Sequence, residues 1–132
     1  MALYTINGDG SLQPLDQDYM PHKTEYNAWK RNLARADPEA YDGIYTHLHQ
    51  KVIGEEEIIT SSWIPGSEWE NTVYWPIYQH ACPGNIEQSG QFFGLILWHV
   101  MSQHSEDWAF GHYKLNDIPI RGLTYFRIQI PS

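Results

Sequence analysis

The chain has 132 residues, 42% of them hydrophobic, and a formal net charge of -8. That length and apolar content suit one domain, residues 1–132, around one core. Only eight Lys plus Arg stand against sixteen Asp plus Glu, which argues against nucleic-acid backbones and anionic membrane surfaces as partners, since both recruit basic side chains.

Leu3 to Ile6 reads as a short strand, followed by Asn7-Gly8-Asp9-Gly10, whose Asn-Gly pair tolerates positive φ and favours a tight turn. Residues 11–22 read as irregular, punctuated by Pro14 and Pro21. Thr24 can cap a helix running to about Ala36, with Glu25 near its positive end and Arg31 and Arg35 nearer its negative end. Tyr26, Trp29 and Leu33 form its apolar stripe. Asp37-Pro38 then ends this helix and opens the next, Asp as cap and Pro at the first helical position. Tyr41, Ile44, Tyr45, Leu48 and Val52 recur at helical spacing to about Ile53, and Gly54 supplies the stop.

Ile58 to Ile64 reads as a strand closed by Pro65-Gly66. Pro76 opens a short helix to Cys82, since its missing N–H costs nothing in a first turn; Pro83-Gly84 ends it. From Gln91 onward three apolar runs, Phe92–Met101, Trp108–Leu115 and Leu123–Ile130, are separated by polar clusters, the pattern of consecutive antiparallel strands. Both faces of Phe92–Met101 are apolar, which predicts a central strand covered on both sides. The fold class expected is α+β: a curved antiparallel sheet of about four to five strands with the N-terminal helices on one face. This element order resembles the cone-shaped roll shared by cystatin-like and nuclear-transport-factor-like domains. The resemblance lies in order and length alone, and implies that fold without implying a function.

If Phe92–Met101 and Trp108–Leu115 pair, His99 and His112 sit on neighbouring strands. Facing a cavity, they could exchange protons near neutral pH, with Tyr113 polarising a carbonyl and Asp117 within reach. That pattern would suit a cofactor-independent isomerase or dehydratase. The plainer reading is that each imidazole bonds a neighbour and fills space. His47 and His49, two apart on a helix, point to different faces, as do His80 and Cys82. No paired spacing of a structural zinc site occurs, so neither metal nor cofactor is expected. Cys82 stands at a helix end, which does not activate a thiol.

Trp63, Trp69, Tyr74, Trp75 and Tyr78, with Trp98 and Trp108 later, are rigid amphipathic groups of the kind that line ligand pockets and anchor interfaces. They make binding of a small apolar ligand or a protein partner the leading expectation. An interaction or inhibitor protein without a pocket is the other non-catalytic reading. More large aromatics than one small core needs suggest a homo-oligomer. One cysteine excludes an internal disulfide framework and fits a reducing compartment. The N-terminus lacks the basic-then-apolar pattern of a secretory leader, so the expected location is cytoplasmic.

Overall fold

The computed structural model describes residues 3–6, 9–15, 19–52, 58–60, 74–103, 107–111, 114–115, 118–119 and 124–128. The chain is a mixed α+β protein in which helices and strands share a core. Strands β1 (Leu3–Ile6) and β2 (Leu12–Pro14) form an antiparallel hairpin with Ile6 opposite Leu12. Its turn is tightened by Asp9, whose Oδ1 accepts from the Ser11 amide (2.9 Å) and hydroxyl (2.6 Å), and by Gly10 at φ 85°. The segment read as irregular therefore contains a strand.

Helix α1 spans Lys23–Ala36, and its last-turn bond runs from the Asp37 amide to the Leu33 carbonyl. Thr24 is not its cap. The helix starts one residue earlier, behind His22, which adopts the left-handed region (φ 51°, ψ 43°) and makes no side-chain cap bond. Tyr26 and Leu33 are buried, with Trp29 packed beside them. Helix α2 spans Ala40–Val52. Asp37 precedes it, its Oδ1 accepting from the Glu39 amide at 3.1 Å and its carbonyl from the Ala40 amide at 3.2 Å. The helix begins at Ala40, so Pro38 is in the turn before it and not at its first position. Tyr41, Ile44 and Leu48 are its buried stripe.

Strand β3 covers Ile58–Thr60; the remainder of the strand expected there, with Trp63 and Trp69, lies outside the described residues. Pro76 opens a π-helical turn, Ile77–Ala81, closed by a bond from the Cys82 amide to the Ile77 carbonyl at 2.9 Å. Asn32 of α1 holds this turn through the Ala81 carbonyl (3.3 Å). Gly84, at φ 70°, turns the chain into the next element.

That element corrects the sequence reading. Phe92–Met101 is not a strand; it belongs to α3, a helix of 17 residues from Ile86 to Ser102. Asn85 caps it, its side chain accepting from the Gln88 amide at 3.0 Å, and Glu87 sits in the first turn beside the positive end of the helix dipole. Phe92, Phe93, Leu95 to Trp98, Val100 and Met101 are all buried. Where a helix is buried over most of its circumference, as α3 is from Phe92 to Met101, the 3.6-residue period is blurred and the apolar run imitates a doubly covered strand. Length was the available discriminator, because fully buried strands run about 4–8 residues. The buried hydroxyls of Ser89 and Ser102 are satisfied by the Asn85 and His99 carbonyls at 2.7 and 2.8 Å.

After α3 come β4 (Asp107–Gly111), β5 (Lys114–Leu115), β6 (Ile118–Pro119) and β7 (Thr124–Ile128). The main sheet runs β2-β1-β4-β7-β3, and β5-β6 is a separate two-stranded ladder. The β1–β4 pair is parallel, with Leu3 beside Trp108; β4–β7 and β7–β3 are antiparallel. A parallel pair needs a crossover, and here the whole helical region supplies it. The sheet is thus not wholly antiparallel. With α3 replacing a strand, the element order that resembled the cone-shaped roll is not the order of the structure.

Phe110 lies opposite Tyr125 across β4–β7, and its ring meets Trp98 of α3 edge-on at 4.7 Å. Through that contact α3 joins the sheet. It also packs against α1, α2 and the π turn, so this one helix organises the core. Each of its fully buried Leu, Ile, Met and Phe side chains contributes about 1.5–3 kcal/mol of gross transfer free energy.

Candidate functional site

Of the site side chains singled out from sequence, only those among the described residues can be placed, and His99 is the one of them that lines the groove between α1 and the end of α3. His99 is on α3, not on a strand. His112 and Tyr113 lie outside the described residues, as do Trp63 and Trp69. The neighbouring-strand arrangement that would have brought His99 and His112 together does not exist, because the backbone of His99 is helical and has no ladder partner. Tyr74, Trp98 and Trp108 are buried core groups. Tyr74 is hydrogen-bonded to His47 Nδ1 (2.7 Å), and burial pushes its phenol up to about 12. Trp75 and Tyr78 stack on each other at 5.2 Å, both partly buried. The Cys82 thiol is buried, which pushes it up to about 11 against a smaller opposing effect of the Ser89 hydroxyl.

A different concavity is formed, of about 190 Å³. One wall is α1, which presents Lys23, Tyr26, Asn27 and Lys30 at helical spacing. A second is the end of α3, with His99 and Gln103 one turn apart. Tyr19 and Met20 complete it. This third wall is tied down by Trp98, whose Nε1 donates to the Tyr19 carbonyl at 3.1 Å while the Tyr19 ring meets the indole edge-on at 6.1 Å. The left-handed His22 then redirects the chain into α1, and its carbonyl accepts the first helical bond, from the Tyr26 amide.

Behind the groove lies a polar aromatic cluster. The Tyr26 and Tyr41 hydroxyls are hydrogen-bonded to each other. Tyr41 stacks on Tyr45, Tyr45 stacks on His49, and the Tyr45 ring also meets His99 at 5.4 Å. The Lys30 ammonium sits 4.3 Å from the Tyr41 ring centroid and 5.9 Å from that of Tyr26, a cation–π arrangement. Burial raises all three phenols above their ordinary value; for Tyr41 the bond to Tyr26 adds to the effect. They therefore stay protonated and add no negative charge. Burial first, and the Lys30 charge second, hold His99 below the usual imidazole value. Among the described residues, neither His99 ring nitrogen has a hydrogen-bond partner, and neither Lys23 nor Lys30 is paired with a carboxylate.

The groove can offer two ammonium groups, an imidazole and two side-chain amides to an occupant, with no carboxylate among its described lining residues. Sequence reasoning found His99 but missed the other members. The available signal was the basic stretch at the start of α1, where Lys23 and Lys30 fall on one helical face. Among the described residues no three His, Cys, Asp or Glu side chains converge as a metal site, and no helix is long and apolar enough to cross a membrane. Compared with protein-family models, curated proteins and solved structures, the chain matches none.

Proposed function

We propose that this chain is a small-ligand-binding domain whose ligand is an anion seated in the groove between α1, the end of α3 and the Tyr19–Met20 wall. The observation that carries this reading is the reversal of charge. In a chain of net charge -8, the described residues that line the concavity include Lys23 and Lys30 and no acidic group. Their charges are not offset by ion pairs among the described residues, so an anion arriving there displaces no carboxylate of those residues. The volume lies below the roughly 300–1,000 Å³ typical of drug-sized ligands, which limits the occupant to a small molecule. This reading keeps ligand binding but moves it from the Trp63–Tyr78 region to the groove. It does not keep the proton-transfer alternative, whose paired-strand geometry α3 replaces.

The reading is tested by amide chemical-shift mapping during titration with small organic and inorganic anions at constant ionic strength. At least one anion should give saturable shifts centred on residues 19–30 and 99–103, and these should weaken in the doubly substituted Lys23→Gln, Lys30→Gln variant. Saturable shifts that centre instead on Trp75 and Tyr78, or that ignore the double substitution, would contradict it.

A further inference from the structure

We propose that the occupant is a single-ring aromatic carboxylate, its carboxylate shared by Lys30 and His99 and its ring held against Tyr19, Met20 and Tyr26. The inference rests on the anion-site reading and adds the ligand class to it.

Three observations argue for this chemistry. First, the space of about 190 Å³ lies below the roughly 300–1,000 Å³ of pockets for drug-sized ligands, which favours a one-ring molecule over a larger ligand such as a nucleotide. Second, the lining is divided. Tyr19, Met20 and Tyr26 provide aromatic and thioether surface, which favours a planar apolar body through ring and sulfur–ring contacts, whereas the donors lie on Lys30, His99, Asn27 and Gln103. A bare inorganic anion would leave the aromatic part of the groove unused. Third, Lys30 is held in place without being neutralised. Its ammonium rests over the Tyr41 and Tyr26 rings, which positions the charge yet leaves its N–H donors for a carboxylate. A carboxylate beside it would also favour an N–H on the facing nitrogen of His99, giving a second charge-assisted bond.

Calorimetric titration of the full chain with four probes tests this: benzoate, benzamide, cyclohexanecarboxylate and inorganic phosphate. Benzoate should bind with a Kd of about millimolar, as its few non-hydrogen atoms permit. Benzamide, which keeps the ring and loses the charge, should bind at least about tenfold more weakly. Cyclohexanecarboxylate should fall between them. Lys30→Met retains the stem at an exposed position and should weaken benzoate about tenfold while leaving the melting temperature within a few degrees. Saturable phosphate binding with benzoate silent would overturn the ring assignment while sparing the anion site. Equal binding of benzoate and benzamide would overturn the role given to Lys30 and His99. Silence with all four probes would overturn the aromatic-carboxylate assignment, whereas the anion site falls only if the wider anion titration is silent as well.

Discussion

Replacing the glycines one at a time by alanine gives a sign pattern that depends on the architecture. Gly90 and Gly94 lie inside α3 and Gly43 inside α2, and a methyl group built on any of them meets nothing within 4 Å among the described residues. Glycine within a helix costs about 0.8–1.0 kcal/mol relative to alanine, because it loses more backbone entropy on folding. Each of these three substitutions should therefore stabilise the chain by about that amount. Gly10 and Gly84 have equally open surroundings but φ values of 85° and 70°. An alanine there must adopt the left-handed region, at a cost of roughly 1–2 kcal/mol. Steric room is thus the same at all five positions, and only backbone conformation separates them. At an unfolding entropy of about 2.1 cal/mol/K per residue, 1 kcal/mol moves the melting temperature of a chain this size by roughly 3–4 °C. The assay is urea unfolding at constant slope together with calorimetric melting. Gly43→Ala, Gly90→Ala and Gly94→Ala should shift the midpoint upward, Gly10→Ala and Gly84→Ala downward. A fall in stability for Gly94→Ala alongside a rise for Gly43→Ala would refute the helical assignment of α3 at its centre.

Asn85→Ala removes the cap of α3 and should cost about 1 kcal/mol, read as a lower urea midpoint; no change would mean that the Asn85–Gln88 bond contributes nothing in solution. Tyr26→Phe and Tyr41→Phe should each destabilise by about 1–3 kcal/mol, since each strands a buried hydroxyl. The double substitution should cost less than the sum of the singles, and strict additivity in the cycle would argue against a coupled pair. Because the folded state holds His99 below its ordinary value, the unfolded chain binds the proton more readily. His99 therefore contributes stability above the unfolded value of about 6.5, and that contribution is lost as pH falls through the lower folded value. Melting temperatures measured from pH 8 to pH 5 should fall more steeply for the parent chain than for His99→Gln, and parallel curves would remove that role.

The two N-terminal helices were legible because each exposes one face. Tyr26 and Leu33, then Tyr41, Ile44 and Leu48, repeat at the helical period, and Asp37-Pro38 punctuates between them. Local chemistry suffices when one side of an element meets water, since the solvent imposes the period. In α3 that information is missing: its central residues are apolar all round, so alternation and helical spacing describe them equally well. The Asn85-x-x-Gln88 capping pattern was present but weaker than the impression left by aromatic and branched residues.

Sequence alone determined an acidic chain, an α+β mix and the α1–α2 pair, all of which follow from composition or from neighbours close along the chain. Tertiary packing decided what the long apolar run becomes, because its conformation depends on α1, α2, the π turn and the sheet closing around it. It also decided the groove. Lys30 and His99 are far apart in the chain and meet only because α1 crosses α3, and the Tyr19 wall stands where it does because a buried indole found its carbonyl.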